Sequence, residues 1–334
     1  MKASVEAEME TVRRILVHLS KENSLPQCAR FVQSITGHFN GSHNDSVTVN
    51  CVLENNKFIL SDHEVEGNPG LILKRAHFCP IKHLSESEAS ILPVDIRDRG
   101  VDVGVAILLQ SANEKILLTR RAANLAIFPN VWVPPGGHVE LGEKLLDAGM
   151  RELQEETGIT LGPEEYSSQM LGLWESVFPP MLSRGLPCRH HIVSYVLIQS
   201  TQTHHELQER LRPNPQEVSA CVWVGPAVVQ AIVSSIDGED DCGRVPDDLP
   251  ETVRISEVMK DGVLHPTSLP LSVLINKATT QGPDVERVST GTKFALELWL
   301  KTLVIAQRSD RNQNEKGTQV TSSSFLHTDV LSMT

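Results

Sequence analysis

Apolar positions along this chain change their spacing several times, and each change marks an element. DVGVAILLQ, from Asp102 to Gln110, alternates and then runs apolar, as a strand buried on both faces does. Lys115 to Thr119 and Val131 to Val133 read as two more strands, the second leading into a glycine-rich turn. A helix is expected over Leu141 to Thr157, where Leu145, Leu146, Gly149, Met150 and Leu153 line up as one apolar stripe. Gly158 suits the left-handed residue that ends such a helix. Strands follow at Gln169 to Ser176, His191 to Gln199 and Ser219 to Val224, then a helix at Pro226 to Ser235. This order predicts an α/β (α+β) fold, a mixed sheet between helical layers.

The flanks read differently. An amphipathic helix is expected around Val5 to Ser20, followed by strands at Val47 to Leu53 and Lys57 to Ser61. Residues 1–95 therefore form a small N-terminal α+β module and residues 96–240 the central domain. Past Ile236 the segment GEDDCGRVPDDLPE is acidic and proline-rich, an exposed loop. Residues 241–306 make a C-terminal extension ending in a helix at Gly291 to Ile305. Residues 307–334, rich in Ser, Thr, Asn and Gln without apolar period, are expected to be a disordered tail.

With 334 residues, 40% of them hydrophobic, the chain can bury one substantial core beside a smaller module. Its six cysteines, at 28, 51, 79, 188, 221 and 242, form no CxxC pair, so reduced thiols in the cytoplasm or nucleus are expected and a zinc site is not. No apolar run is long enough to span a bilayer, and MKASVEAEMETVRR has no apolar signal core. A net charge of −12 with no basic stripe argues against DNA and against a long grip on the body of an RNA. No feature points to a protein partner.

The chemistry lies in GHVELGEKLLDAGMRELQEETGI, residues 137–159. On a helix Glu152, Glu155 and Glu156 stand at i, i+3 and i+4, crowding like charges that oppose helix formation unless a cation offsets them. Carboxylate oxygens favour a hard divalent ion, Mg²⁺ or Mn²⁺. Arg151 lies one turn before Glu155, placed to orient a carboxylate. Pro134 and Pro135 stiffen the approach to Gly136 and Gly137, whose backbone can come close to a phosphate or metal. A surface helix with solvated glutamates is the bland alternative. The fixed spacing of glycine, glutamate and arginine together weighs against it.

This stretch fills every fixed position of the Nudix box, so the chain resembles the Nudix hydrolases, which split a nucleoside diphosphate linked to another group. The resemblance implies an α/β/α sandwich, a divalent ion held by the Gly136 carbonyl with Glu152, Glu155 and Glu156, and Arg151 orienting those ligands. Glu152 or Glu155 is the candidate base for the attacking water. TRRAANLAIFPNVWVPPGGHVE, LGLWESVFPPMLSRGLPCRHHIVSYVLI and ERVSTGTKFALELWL look like one narrower branch, the Nudix-motif-17 group. That branch implies a nucleotide-type substrate, the capped end of RNA, with release of 7-methyl-GDP. Hydrolysis of free NADH, coenzyme A or ADP-ribose is the first alternative, and a non-catalytic binding module the second. ILLTRRAANL partly matches the coenzyme A branch, and WESVFPPMLSRG shares only scattered aromatics and prolines with the NADH branch.

For the substrate, Trp174 and Phe178 have the best claim to stack a base, since Trp132 and Trp223 read as sheet residues. Arg184 and His191, with Arg189 and His190, form a local basic group suited to a phosphate, although a solvated strand end explains Arg189 and His190 nearly as well.

Overall fold

Strand β6 (Asp102–Gln110) organises the sheet because both of its edges and both of its faces are used. The structure, a computed structural model, describes residues 14–322 except 23, 42, 64–69, 239–243 and 280–284, and past residue 306 the backbone alone. The other strands are β1 (Leu16–Ser20), β2 (Gln27–Cys28), β3 (Ser46–Glu54), β4 (Lys57–Ser61), β5 (Leu71–Arg75), β7 (Ile116–Arg121), β8 (Val131–Val133) and β9 (Gly136–His138). After the box helix come β10 (Tyr166–Phe178), β11 (Arg189–Ser200), β12 (Val218–Val224), β13 (Thr252–Val258), β14 (Leu264–Pro270) and β15 (Arg287–Val288).

On one edge β6 pairs with β11 in parallel along its whole length, Asp102 opposite His191 through Gln110 opposite Gln199. The other edge is shared by three partners. Leu16 of β1 meets Asp102, β9 covers Gly104 to Ala106, and β7 meets Gln110. From β6 the ladder runs through β11, β10, β5, β3, β4 and β1 and returns to β6, so these strands close a ring. A backbone bond of 3.0 Å from Val17 N to Val101 O helps to seal it. Strands β7, β12, β13 and β14 extend from β6 as an open wing.

Alternation along β6 feeds two cores. Val103, Val105, Ile107 and Leu109 join the core that includes Ala148 and Leu153 of the box helix, Leu145–Thr157. Gly149 lets that helix close on the sheet, since a Cβ there would stand 2.5 Å from Ile107 Cδ1. Ala106 and Leu108 face the other core, with Val229 and Ile232 of the Pro226–Ser234 helix and Phe294 and Trp299 of the Thr290–Ser322 helix. Trp299 donates to Gln110 Oε1 at 2.7 Å, which satisfies its buried indole N–H. Helices thus cover both faces of a mixed sheet, the Nudix-type α/β/α sandwich expected.

A fully buried ion pair ties residues 31–36 to the β10–β11 hairpin. The Glu175 carboxylate accepts from Ile35 N at 2.7 Å and Thr36 N at 2.9 Å, where the Ile35–Asn40 helix begins. His190 stands with Nε2 3.2 Å from Glu175 Oε1 and Nδ1 2.7 Å from the carbonyl of Phe31. Each ring nitrogen thus faces an oxygen, one a carbonyl and one a carboxylate. Burial pushes the Glu175 carboxyl up, yet the His190 bond and charge and the Thr36 amide outweigh it and hold the carboxyl below the usual range.

Several expectations need correction. Leu16–Ser20 is a strand, not the end of a helix, because its short apolar run pairs in parallel with β4; residues 5–13 of that expected helix lie outside the described residues. The box helix starts at Leu145 rather than Leu141, since Gly142 has φ +82°, a left-handed conformation no α-helix admits. The closing helix continues to Ser322, past Ile305, through a polar run that holds no proline; residues 323–334 of the expected tail lie outside the described residues. The β13–β14 hairpin was not legible in the alternation. Residues 239–243 of the acidic loop also lie outside the described residues.

Replacing His190 by Ala leaves a buried carboxylate unpaired and is expected to cost about 3–5 kcal/mol. Urea unfolding checks this, and a loss under about 1 kcal/mol would refute a charged pair.

Candidate active site

Strand β9 is squeezed between the shared edge of β6 and the box helix, and at Gly136 the β6 backbone leaves no room for a Cβ. A Cβ on Gly136 would lie 2.3 Å from the carbonyl oxygen of Val105, and one on Gly137 the same distance from Glu152 Oε1. Glu152 therefore rests directly against the glycine strand. No other side chain size preserves that contact.

Arg151 organises the carboxylates. Its Nε and Nη2 grip Glu143 as a fork at 2.7 and 3.0 Å, and Nη1 reaches Glu152 Oε1 at 2.9 Å and Glu155 Oε2 at 3.1 Å. Nη2 also donates to the carbonyl of His138 at 3.0 Å, tying helix to glycine strand. The bonds from Arg151 hold the Glu143 carboxyl below its ordinary range. Burial, by contrast, pushes Glu152 up despite Arg151, with Glu155 and Glu217 adding to the rise.

Glu156 differs from Glu155 although the two are adjacent. The Glu155 side chain is 55% exposed, whereas Glu156 is only 7% exposed. Burial pushes the Glu156 carboxyl up to about 8, opposed by the charge of Arg121 and by the Gly136 amide, which donates to it, and reinforced by Glu152. A buried, poorly compensated carboxylate next to Glu152 is what an arriving dication would stabilise, so the donor set fits a hard divalent ion.

Beside the glycine strand opens a cavity of about 250 Å³, lined by Gly136, Gly137, His138, Arg121, Phe128, Trp174, His191 and Tyr195 among others. Trp174 is packed against Phe294, ring centroids 5.5 Å apart, and lines the cavity. Phe178 does not line it; the ring contacts Phe128 edge to face at 4.9 Å. Arg184 is also outside the lining, and its Nη2 donates to Thr279 O at 3.2 Å. His191 does line the cavity, and burial pushes its imidazole down to about 3.

The structure thus brings Arg151, Glu152, Glu155, Glu156 and Gly136 together, with Trp174 and His191 nearby. It splits the basic group at residues 184–191, because strand alternation sends His190 to Glu175 on the opposite face from His191. Arg121, Glu143, Glu217 and Asp102 were not singled out from sequence. Glu143 alone carried a signal, its fixed place in the box. Among the described residues, Asp102, His138 and His191 form the one group with a ligand atom each within 4.8 Å of the others.

The NUDIX domain family matches residues 99–238. The m7GpppN-mRNA hydrolase NUDT17 of Danio rerio is 66% identical over 295 residues, covering 88% of this chain and 98% of that protein. The Xenopus laevis protein of the same name is 53% identical over 292 residues, covering 87% and 96%. Among solved structures, a MutT NUDIX hydrolase from Burkholderia pseudomallei is similar at 20% identity and a TM-score of 0.33, over 59% of this chain and 95% of that one.

Glu155→Gln and Glu156→Gln, both isosteric, are each expected to abolish Mg²⁺-dependent product formation with the circular dichroism spectrum unchanged. Activity retained in both would place the cation elsewhere. For Glu156 the folded carboxyl, at about 8, lies above the ordinary 4.5. The stability it contributes to cation-free protein is therefore full below about pH 4.5 and lost as pH rises toward 8, by at most about 5 kcal/mol. The melting temperature of cation-free wild type should fall over that window relative to Glu156→Gln, and Mg²⁺ should close the gap; parallel curves would contradict this.

Proposed function

As the chain belongs to the Nudix hydrolase family and, within it, to the NUDT17 group, it is a hydrolase of phosphoanhydride bonds, and we propose that it removes the methylated cap of messenger RNA and releases 7-methyl-GDP. Similarity to the Danio rerio enzyme over 98% of that protein's length carries this reading. Nudix hydrolases work with a divalent cation, and Mg²⁺ is our choice for this site, with Mn²⁺ a substitute, since the donors are carboxylate oxygens. The intact set Glu152, Glu155 and Glu156 disfavours a non-catalytic binding module.

The cavity supports a cap rather than a whole dinucleotide. At about 250 Å³ it is below the roughly 300–1,000 Å³ that holds drug-sized ligands entire, so it suits one base with the phosphates outside. Phe128 and Trp174 offer that base aromatic contact, and Phe178 would act by supporting Phe128. Arg184, away from the lining, is assigned at most to the outer rim.

Glu152, Glu155, Glu156 and the Gly136 carbonyl would hold the cation, which would supply Lewis acidity toward phosphate and water. Glu152 is our preferred base among the box carboxylates, because burial already raises its affinity for a proton. Arg151 holds Glu152 and Glu155 in place, and Gly136 brings backbone up to Glu156. We place the enzyme in the cytoplasm, where its scattered cysteines stay reduced.

Hydrolysis in ¹⁸O-labelled water is expected to put label on a phosphate of one product in a single turnover, with 7-methyl-GDP as the cap product. Mass analysis across capped RNA, NADH, coenzyme A and ADP-ribose checks it. Faster turnover of any free dinucleotide than of capped RNA would replace the decapping assignment, and label absent from phosphate would overturn water attack at phosphorus.

A further inference from the structure

We propose that Arg14, Arg99 and Arg189, with His138 and His191, form a basin that binds phosphates of the RNA body, beyond the bridge that is cut. The proposal rests on the decapping reading for its ligand and on separate residues for its geometry.

The basin is assembled by the ladder from distant segments. Parallel pairing sets His191 opposite Asp102, and β9 sets His138 opposite Gly104, two residues further along β6. The imidazoles of His138 and His191 lie 5.5 Å apart. Arg14, just before β1, reaches Asp102 Oδ1 at 2.6 Å where the strand ring closes, and Arg99 reaches Oδ2 at 3.1 Å. Arg189 stands two residues before His191, hence on the same face of β11 as His191, Val193 and Tyr195, all three of which line the cavity. Its guanidinium has no acidic partner among the described residues and donates only to Cys188 O at 3.4 Å.

Charge decides what such a cluster holds. The spacing of Asp102, His138 and His191 would suit a zinc ion. Yet Asp102 is already paired with two guanidiniums, Arg14 at 2.6 Å and Arg99 at 3.1 Å, and Arg189 adds a third positive charge on the His191 face of β11. A dication would add to an excess of positive charge, whereas a phosphate would neutralise it and accept the N–H groups of arginine and histidine. In a chain of net charge −12 this local reversal adjoins the cavity only through His138 and His191, which line it with Gly136 and Gly137. With a base in the cavity and the bridge at the box, the next phosphates of the RNA are the anions within reach.

Binding of a 3′-labelled RNA oligonucleotide with a 5′-monophosphate, the expected RNA product, is measured by fluorescence anisotropy for the full chain and for Arg189→Gln across a salt series. Arg189→Gln should bind about fivefold more weakly and lower the slope of log K against log salt by about one. It should likewise raise KM for capped RNA more than for the cap dinucleotide. Equal binding and equal slopes, or equal changes for both substrates, would overturn the basin. So would uptake of one Zn²⁺ by wild type that His191→Gln abolishes while RNA binding is unchanged. Failure of wild type to cut capped RNA would overturn the decapping reading instead, because the anisotropy measurement needs no turnover.

Discussion

One edge of β6 must supply hydrogen bonds to three different strands, and the site follows from how that edge is divided. Because β9 is confined to Gly104 through Ala106, between the closure by β1 and the contact with β7, its backbone has to lie almost on top of β6. Gly136 is the sequence's answer to that crowding, and Gly137 leaves room for Glu152 on the helix side. The same absence of side chains lets the Glu152 carboxyl rest against the strand, so the ladder sets the position of a site carboxylate.

Four glutamates around one arginine cannot all be neutralised. Arg151 takes Glu143, Glu152 and Glu155, and Glu156 is left in the interior with Arg121 acting on it electrostatically. The protein carries this residual repulsion as a standing cost, in the way that strained or uncompensated groups gather at functional sites. A cation held by these carboxylates would offset that repulsion.

What was legible in the sequence was local. The box helix, β6, β11 and β12 could be read because their apolar period runs undisturbed, and the clustering of Glu152, Glu155 and Glu156 because their spacing is fixed within one helix. Errors arose where a tertiary pairing outvoted a short pattern, as at Leu16–Ser20, or where one backbone conformation broke it, as at Gly142. The run Arg189, His190, His191 looked like a single basic group, but a strand divides neighbours between faces and gives His190 to Glu175. Arg14, Arg99 and Asp102 carried no signal at all, since nothing in the chain announces that residues 14 and 102 will touch.

The family match ends at residues 99 and 238, yet those are not places where the molecule can be parted. Severing the chain near residue 99 would strip β1 from β6 and β5 from β10, exposing two rows of unpaired backbone groups ready to capture other strands. It would also strand the Glu175–His190 pair without Phe31, Ile35 and Thr36, and remove Arg14 from Asp102. The family's borders therefore cut across the strand ring: a fragment trimmed to residues 99–238 would lack β1, β3, β4 and β5, four of the seven strands that close it.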